Sequence, residues 1–228
     1  MAKILIGKIL IKKHDLQHAN RQIAIESMDD PQYQGMGCTL VAVTFQQSQL
    51  EWISVGDSIL WLWRDSKLRR LNADHSMKPE LAKQVKNAEI SAEEAEKSPE
   101  KNVLRSVLMG ENIPLIDQNR IQWQKGDIYL IASDGVETLN ERYLAQVLLK
   151  IQKQTAKTIC DTLLNAIPAS DYQDNATLIV IKPQIPQIRT RFIILLLLTA
   201  LVVTGIKIST SQNHKKTAQE TSHVMAIH

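Results

Sequence analysis

Tyr129-Leu130-Ile131-Ala132-Ser133-Asp134-Gly135 is an apolar run that stops on an aspartate followed by glycine. Two other places in the chain share this build. Ser54-Val55-Gly56-Asp57-Ser58 ends one apolar run and opens the next, and Asp174-Asn175 leads into Ala176-Thr177-Leu178-Ile179-Val180-Ile181. Short apolar runs bounded by Gly, Asn and Ser read as buried strands. A carboxylate at such a strand end is held by rigid backbone, yet it points into a turn that water reaches. Several carboxylates converging in this way make a hard-oxygen cation site of the kind Mg²⁺ or Mn²⁺ prefers. Taken singly, each aspartate does no more than open a turn, because Asp-Gly and Asp-Asn pairs are common turn formers.

The segments around these strands fall into a simple order. Residues 3 to 27 place Ile6, Ile9, Leu10, Leu16, Ala19 and Ile23 at spacings of three, four and seven, which predicts an amphipathic helix closed by Asp29-Asp30-Pro31. Thr39 to Phe45 and Leu50 to Val55 predict a hairpin, with Ile59 to Arg64 and Lys67 to Leu71 continuing it as an antiparallel meander. Between residues 78 and 109 Glu, Lys and Ala dominate. Ser91 and Glu94 there form a capping box, and Pro99 is expected to open a second helix with Val103, Leu104 and Val107 on its apolar face. Strands then return at Ile121 to Trp123 and Asp127 to Ala132, followed by helices at Leu139 to Leu149 and Ala156 to Ile167. Ala176 to Ile181 is the last strand. Strands early and helices in pairs predict an α+β fold with an antiparallel sheet faced by helices.

Seven short motifs in order extend this reading. Gly35-Met36-Gly37-Cys38-Thr39, Val55-Gly56-Asp57-Ser58 and Leu71-Asn72-Ala73-Asp74-His75-Ser76 come first. Ile90-Ser91-Ala92-Glu93-Glu94-Ala95, Lys101-Asn102-Val103-Leu104-Arg105-Ser106, Ala132-Ser133-Asp134-Gly135 and Asp174-Asn175-Ala176-Thr177 follow. None is diagnostic alone; together, spread over about residues 20 to 182, they resemble the metal-dependent serine/threonine protein phosphatases, the PPM or type 2C family, in its bacterial form. The resemblance implies an antiparallel β-sandwich flanked by helix pairs, with metals at the sandwich rim. It implies phosphoserine and phosphothreonine proteins as substrates. By motif match, Asp134 and Asp174 would be ligands of one catalytic Mg²⁺ or Mn²⁺, and Asp57 a ligand of an additional metal shared with Asp134. Ile59 stands where the family often has Arg, which alters the charge balance beside Asp57.

The same resemblance exposes what this sequence lacks. The family carries an acidic residue on its first strand and an Asp-Gly-x-Gly-Gly-His stretch after it, which supply a bridging carboxylate, a metal-binding carbonyl and a general-acid histidine. An arginine upstream grips the phosphate. Here there are 8 glycines, no Gly-Gly pair and one Asp-Gly, at Asp134. The expectation is a phosphatase-like domain incomplete at its N-terminus, short of a strand, with an unpaired sheet edge and a weak metal site. Its catalytic residues remain unassigned, and a catalytically inactive pseudophosphatase that binds phosphoproteins or a kinase is the alternative.

Composition narrows the setting. Hydrophobic residues make 44% and charged residues 22% of the chain, ordinary for a globular domain. A net charge of +3, with basic residues in short pairs such as Lys12-Lys13, Arg69-Arg70 and Lys215-Lys216, gives no nucleic-acid stripe. Those pairs read as solvated surface. Cys38 and Cys160 read as reduced core thiols, and the tryptophans as core filling. His75 is expected to bond its own loop, and His14 with His18 to lie on a surface helix. Residues 1–182 form the phosphatase-like domain and 183–190 a Pro-containing linker. Residues 191–208 would form a single membrane-spanning helix and 209–228 a polar tail, with the large domain cytoplasmic. The uncharged core of that span, Phe192 to Ile206, is about 22 Å long as helix, and flanking Arg189, Arg191 and Lys207 can snorkel to extend it.

Overall fold

The computed structural model describes residues 3–7, 12–46, 48–168 and 175–184. In chain order they form β1 (Lys3–Gly7), α1 (Lys13–Asp29), β2 (Leu40–Gln46), β3 (Gln49–Val55), β4 (Ile59–Arg64) and β5 (Lys67–Arg70). Then follow α2 (Lys78–Lys86), α3 (Ala92–Lys97), β6 (Asp117–Gln122), β7 (Ile128–Ala132), α4 (Glu141–Ile151), α5 (Ala156–Asn165) and β8 (Leu178–Ile181). The strands make two sheets of four, in the orders β1-β2-β3-β6 and β5-β4-β7-β8.

Alternation along each strand explains the layering. On β2, Val41 and Val43 face a cluster that also takes Leu50 and Trp52 from β3, Leu60 and Leu62 from β4, and Tyr129 and Ile131 from β7. This is the interior between the sheets, and Phe45 meets the Tyr129 ring edge-on at 5.7 Å within it. The alternate residues Leu40 and Ala42 face the other way, onto Leu16 of α1. In β4 the alternates Ile59, Trp61 and Trp63 pack with Leu144 and Leu148 of α4 and Ile159 and Leu163 of α5. Central strands buried on both faces therefore read as unbroken apolar runs, whereas the edge strands β5 and β6 are polar and charged, a composition that discourages pairing with other chains. Among the described residues a helix pair covers one outer face, and α1 the other.

Four expectations are corrected. First, the segment 3 to 27 is not one helix: Lys3–Gly7 pairs in parallel with β2, from Lys3↔Leu40 to Gly7↔Thr44, and α1 starts at Lys13. The three-to-four spacing of Ile6, Ile9 and Leu10 suits a helix, but five consecutive residues of strand pairing override it. Second, among the described residues the open edge of this sheet falls on β1, because β2 pairs on both sides, with β1 and β3. Third, the four early strands are not a meander. β2 and β3 form a hairpin in one sheet, β4 and β5 form a hairpin in the other, and the chain changes sheet at Gly56-Asp57-Ser58. Fourth, no helix follows Pro99. That stretch takes turns and two isolated bridges, Ser76↔Leu104 and Cys38↔Leu108, and Val103 is exposed.

The capping box holds, with Glu94 N–H donating to Ser91 Oγ at 3.1 Å and Ser91 N–H to Glu94 Oε2 at 2.7 Å. Cys38 and Cys160 are both free. No helix among the described residues is long and apolar enough to cross a membrane; the span expected at residues 191–208 lies outside them.

Candidate functional site

Strand register brings the carboxylates together. β4 and β7 pair antiparallel with Ile59 opposite Ala132, so the chain two residues before Ile59 and the chain two residues after Ala132 leave the sheet at the same end. Those residues are Asp57 and Asp134. β8 lies on the other side of β7, with Ala132 opposite Leu178. Beyond that pair, Ser133 N–H donates to Thr177 O and Thr177 N–H to Ser133 Oγ, both at 3.0 Å, while Ser133 Oγ–H donates to Asn175 O at 3.2 Å. Asn175 is thereby tied beside the residue that precedes Asp134. Asp174, the third expected ligand, lies outside the described residues.

Asp57 is half-buried and Asp134 exposed. Burial, and after it the neighbouring charge of Asp134, push the Asp57 carboxyl above its ordinary value; Asp74 adds to the push, while Lys78 opposes it. A carboxylate pair of this kind fits part of a hard-cation site, since a bound cation relieves both the burial and the repulsion. Among the described residues no cluster of three or more His, Cys, Asp or Glu side chains is placed to hold a metal.

The Asp57 turn is held tightly. Gly56 has φ +97°, and a Cβ placed there would lie 2.3 Å from Thr39 Cγ2, so only glycine permits this sheet-to-sheet crossing. Gly56 N–H donates to His75 Nδ1 and His75 N–H to Gly56 O, each at 3.2 Å. Accepting at Nδ1 requires the neutral ring, in keeping with burial, which lowers the His75 pKa. His75 thus serves the loop, as its sequence context suggested. Asn72 is buried and does the same work one turn earlier: its Oδ1 accepts from Leu60 N–H at 2.8 Å and its Nδ2 donates to Ser58 O at 2.8 Å. Ser58 Oγ lies 2.7 Å from Thr39 Oγ1.

Sequence reasoning missed the cations of the site. Arg69-Arg70 was expected to be solvated surface, and Arg69 is exposed. Arg70, on the other side of β5, has only 19% of its side chain exposed. Its Nη2 donates to Asp57 O at 2.8 Å and its Nη1 to Asp74 Oδ2 at 3.1 Å. Glu137 sits on the one-turn 3₁₀ helix Asp134–Thr138; its Oε1 is 3.9 Å from Arg70 Nη1, and its Oε2 pairs with Lys78 Nζ. Strand alternation carried a signal for Arg70, because Leu68 on the same face packs into the core. Nothing in the sequence joins Lys78 to Glu137, which are 59 residues apart.

No family model matches the chain. It is 31% identical over 172 residues to the serine/threonine phosphatase Stp of Listeria monocytogenes, an alignment covering 75% of this chain and 67% of that protein. This chain belongs to the bacterial PPM-type serine/threonine phosphatase family. A serine/threonine protein phosphatase of Mycobacterium tuberculosis, PstP, is 31% identical over 133 residues, or 57% of this chain and 25% of that protein. The solved structure of the Streptococcus agalactiae serine/threonine phosphatase superposes with TM-score 0.64 at 27% identity, covering 75% of this chain and 69% of the other. The PPM phosphatase MsPP of Mycobacterium smegmatis does so with TM-score 0.58 at 26% identity, over 75% and 72%. The two four-stranded sheets and their flanking helices are thus the PPM phosphatase fold, and the rim where Asp57 and Asp134 meet is the candidate site of this family member.

Proposed function

We propose that this chain is a membrane-anchored PPM-type protein directed at phosphoserine and phosphothreonine proteins, with a weak Mg²⁺ or Mn²⁺ site and little turnover of its own. The observation behind this reading is the meeting of Asp57 and Asp134 at one sandwich rim, close enough for one charge to raise the pKa of the other. Asp57, Asp134 and Asp174 would hold the metal. A divalent cation bound there would acidify a water and neutralise charge on a phosphoryl group. The chain's own residues then have limited tasks: His75 and Asn72 hold the turn that presents Asp57, and Ser133 ties the Asn175 segment to the end of β7. The sequence offers no second Asp-Gly to act as a bridging carboxylate and no Gly-Gly-His for an acid. Losing one preorganised electrostatic group commonly costs about 10²–10³ in rate, and losing several that act as a unit leaves little, though not additively.

Negligible Mn²⁺-dependent hydrolysis of p-nitrophenyl phosphate or a phosphothreonine peptide is therefore the expected result, together with weak Mn²⁺ binding by calorimetry that Asp134→Asn plus Asp174→Asn abolishes. Robust turnover that vanishes in the double variant would replace this reading with that of a complete enzyme.

The anchor is the second part of the proposal. Fifteen residues without a charge, Phe192 to Ile206, follow a linker containing Pro183 and Pro186. The full chain is expected to sediment with membranes and to need detergent for release, with the domain of residues 1–182 on the cytoplasmic side. Recovery of the full chain in the soluble fraction without detergent would remove the anchor from this proposal.

A further inference from the structure

Arg70 is a half-buried cation, with 19% of its side chain exposed. It ends the edge strand β5, opposite Trp61 of β4. Its Nε is fully buried and has no hydrogen-bond partner, an arrangement that lowers stability. The terminal nitrogens, by contrast, reach three segments that the chain brings from different places. These are the carbonyl of Asp57 in the crossing from β3 to β4, the carboxylate of Asp74 in the loop after β5, and Glu137 in the turn that begins with Asp134. Asp57, Asp74, Asp134 and Glu137 put four carboxylates at one rim. Lys78 balances Glu137 from α2. Arg70 bonds both the Asp57 turn and the Asp74 loop while facing Glu137.

We propose that Arg70 is the positioning residue of the Asp57–Asp134 pair, holding the β3–β4 crossing against the turn after β7 so that the two carboxylates keep a separation that suits one divalent cation. The guanidinium acts through the backbone of Asp57 and not on the cation itself. Its planar fork serves two acceptors at once, which a lysine ammonium does less well. This inference rests on the reading of Asp57 and Asp134 as metal ligands.

The test uses the full chain in detergent, with Mn²⁺ as the probe. Calorimetry, with electron paramagnetic resonance of Mn²⁺ as a second readout, is run on wild type, Arg70→Ala, Arg70→Lys, Arg69→Ala and Asp57→Asn plus Asp134→Asn. Hydrogen–deuterium exchange is followed at residues 56–58 and 134–138 without metal. Arg70→Ala is expected to weaken Mn²⁺ binding about tenfold and to speed exchange in both segments, with Arg70→Lys intermediate and Arg69→Ala like wild type. If Arg70→Ala does not fold, the lysine variant carries the comparison. Unchanged Mn²⁺ affinity in a folded Arg70 variant overturns the positioning role and leaves the metal site standing. Equal loss of affinity in Arg69→Ala also overturns it, since general surface charge would then suffice. Binding that survives in the Asp57/Asp134 double variant, or is absent from wild type, overturns the metal-site reading and this inference with it.

Discussion

Gly56→Ala is expected to destabilise the domain by about 2–6 kcal/mol, since positive-φ strain in a non-glycine residue costs roughly 1–3 and forced overpacking a further ~1–3. Both terms apply at this one position. The backbone holds φ +97°, and the new methyl would lie 2.3 Å from Thr39 Cγ2 and 2.6 Å from Thr39 Cβ. Thr39 precedes β2 and its hydroxyl lies against that of Ser58, so it has little room to withdraw. Moving Gly56 would also break its two bonds with His75 and turn Asp57 away from Asp134. Thermal unfolding monitored by circular dichroism checks the prediction, and a Thr39→Gly, Gly56→Ala pair separates its parts. The pair should recover the steric share and leave the dihedral share in place. A single variant that melts with wild type would mean the crossing can adopt another path between the sheets.

The second large effect lies at the opposite end of the sandwich. Arg64, at the end of β4, forks onto Asp127 just before β7, with Nε to Oδ1 at 2.8 Å and Nη2 to Oδ2 at 2.7 Å. Asp127 has 1% of its side chain exposed, and it also accepts from Tyr129 Oη at 2.9 Å and Gln124 N–H at 2.8 Å. Arg64→Met strands this carboxylate, and breaking a buried pair from one side costs about 3–5 kcal/mol. For a domain of this size that corresponds to a melting point lower by roughly 10 °C. Adding Asp127→Asn should return part of the loss, because no charge is then left buried.

The same pair has a pH signature. Burial alone would raise the Asp127 pKa, but the bonds from Arg64, Gln124 and Tyr129 outweigh it and hold the carboxyl below its ordinary value of 3.8. A depressed carboxyl pKa stabilises the fold above the unfolded value, and that contribution is lost as pH falls below it toward the folded value. Stability measured by urea unfolding should therefore drop steeply below about pH 4 in wild type. In Arg64→Met the Asp127 share of that drop should shrink, because without the guanidinium the folded value rises toward the unfolded one. Because this cluster is remote from Asp57, Mn²⁺ affinity in the variant at low temperature should match wild type, which separates stability from site effects.

Much of this architecture is written locally in the chain. Ile59-Leu60-Trp61-Leu62-Trp63 and Ile128-Tyr129-Leu130-Ile131-Ala132 are apolar at every position because both faces of a central strand are covered. The Asp65-Ser66 turn, both residues at positive φ, and the caps at Ser91, Asn140 and Thr155 are set by neighbours a few residues away. Such features depend on short-range sterics and hydrogen bonds, so residue type and spacing specify them. Asp57 and Asp134 were legible as strand-end aspartates for the same reason, each lying in a motif that fixes its own turn.

Tertiary structure decided what distant segments do to one another. Local pattern could not tell that β3 and β4 belong to different sheets, because a hairpin and a sheet crossing use the same turn residues. Nor could it place Lys3–Gly7 beside β2, since a strand whose pairing partner lies more than thirty residues away carries no local mark of that register. Arg70 shows the limit most clearly. Beside Arg69 it reads as one of two solvated cations, and only the approach of three loops to the end of β5 gives its guanidinium the carbonyl of Asp57, the carboxylate of Asp74 and the proximity of Glu137. A charge is buried or solvated according to what packs over it, and packing is a property of the assembled fold.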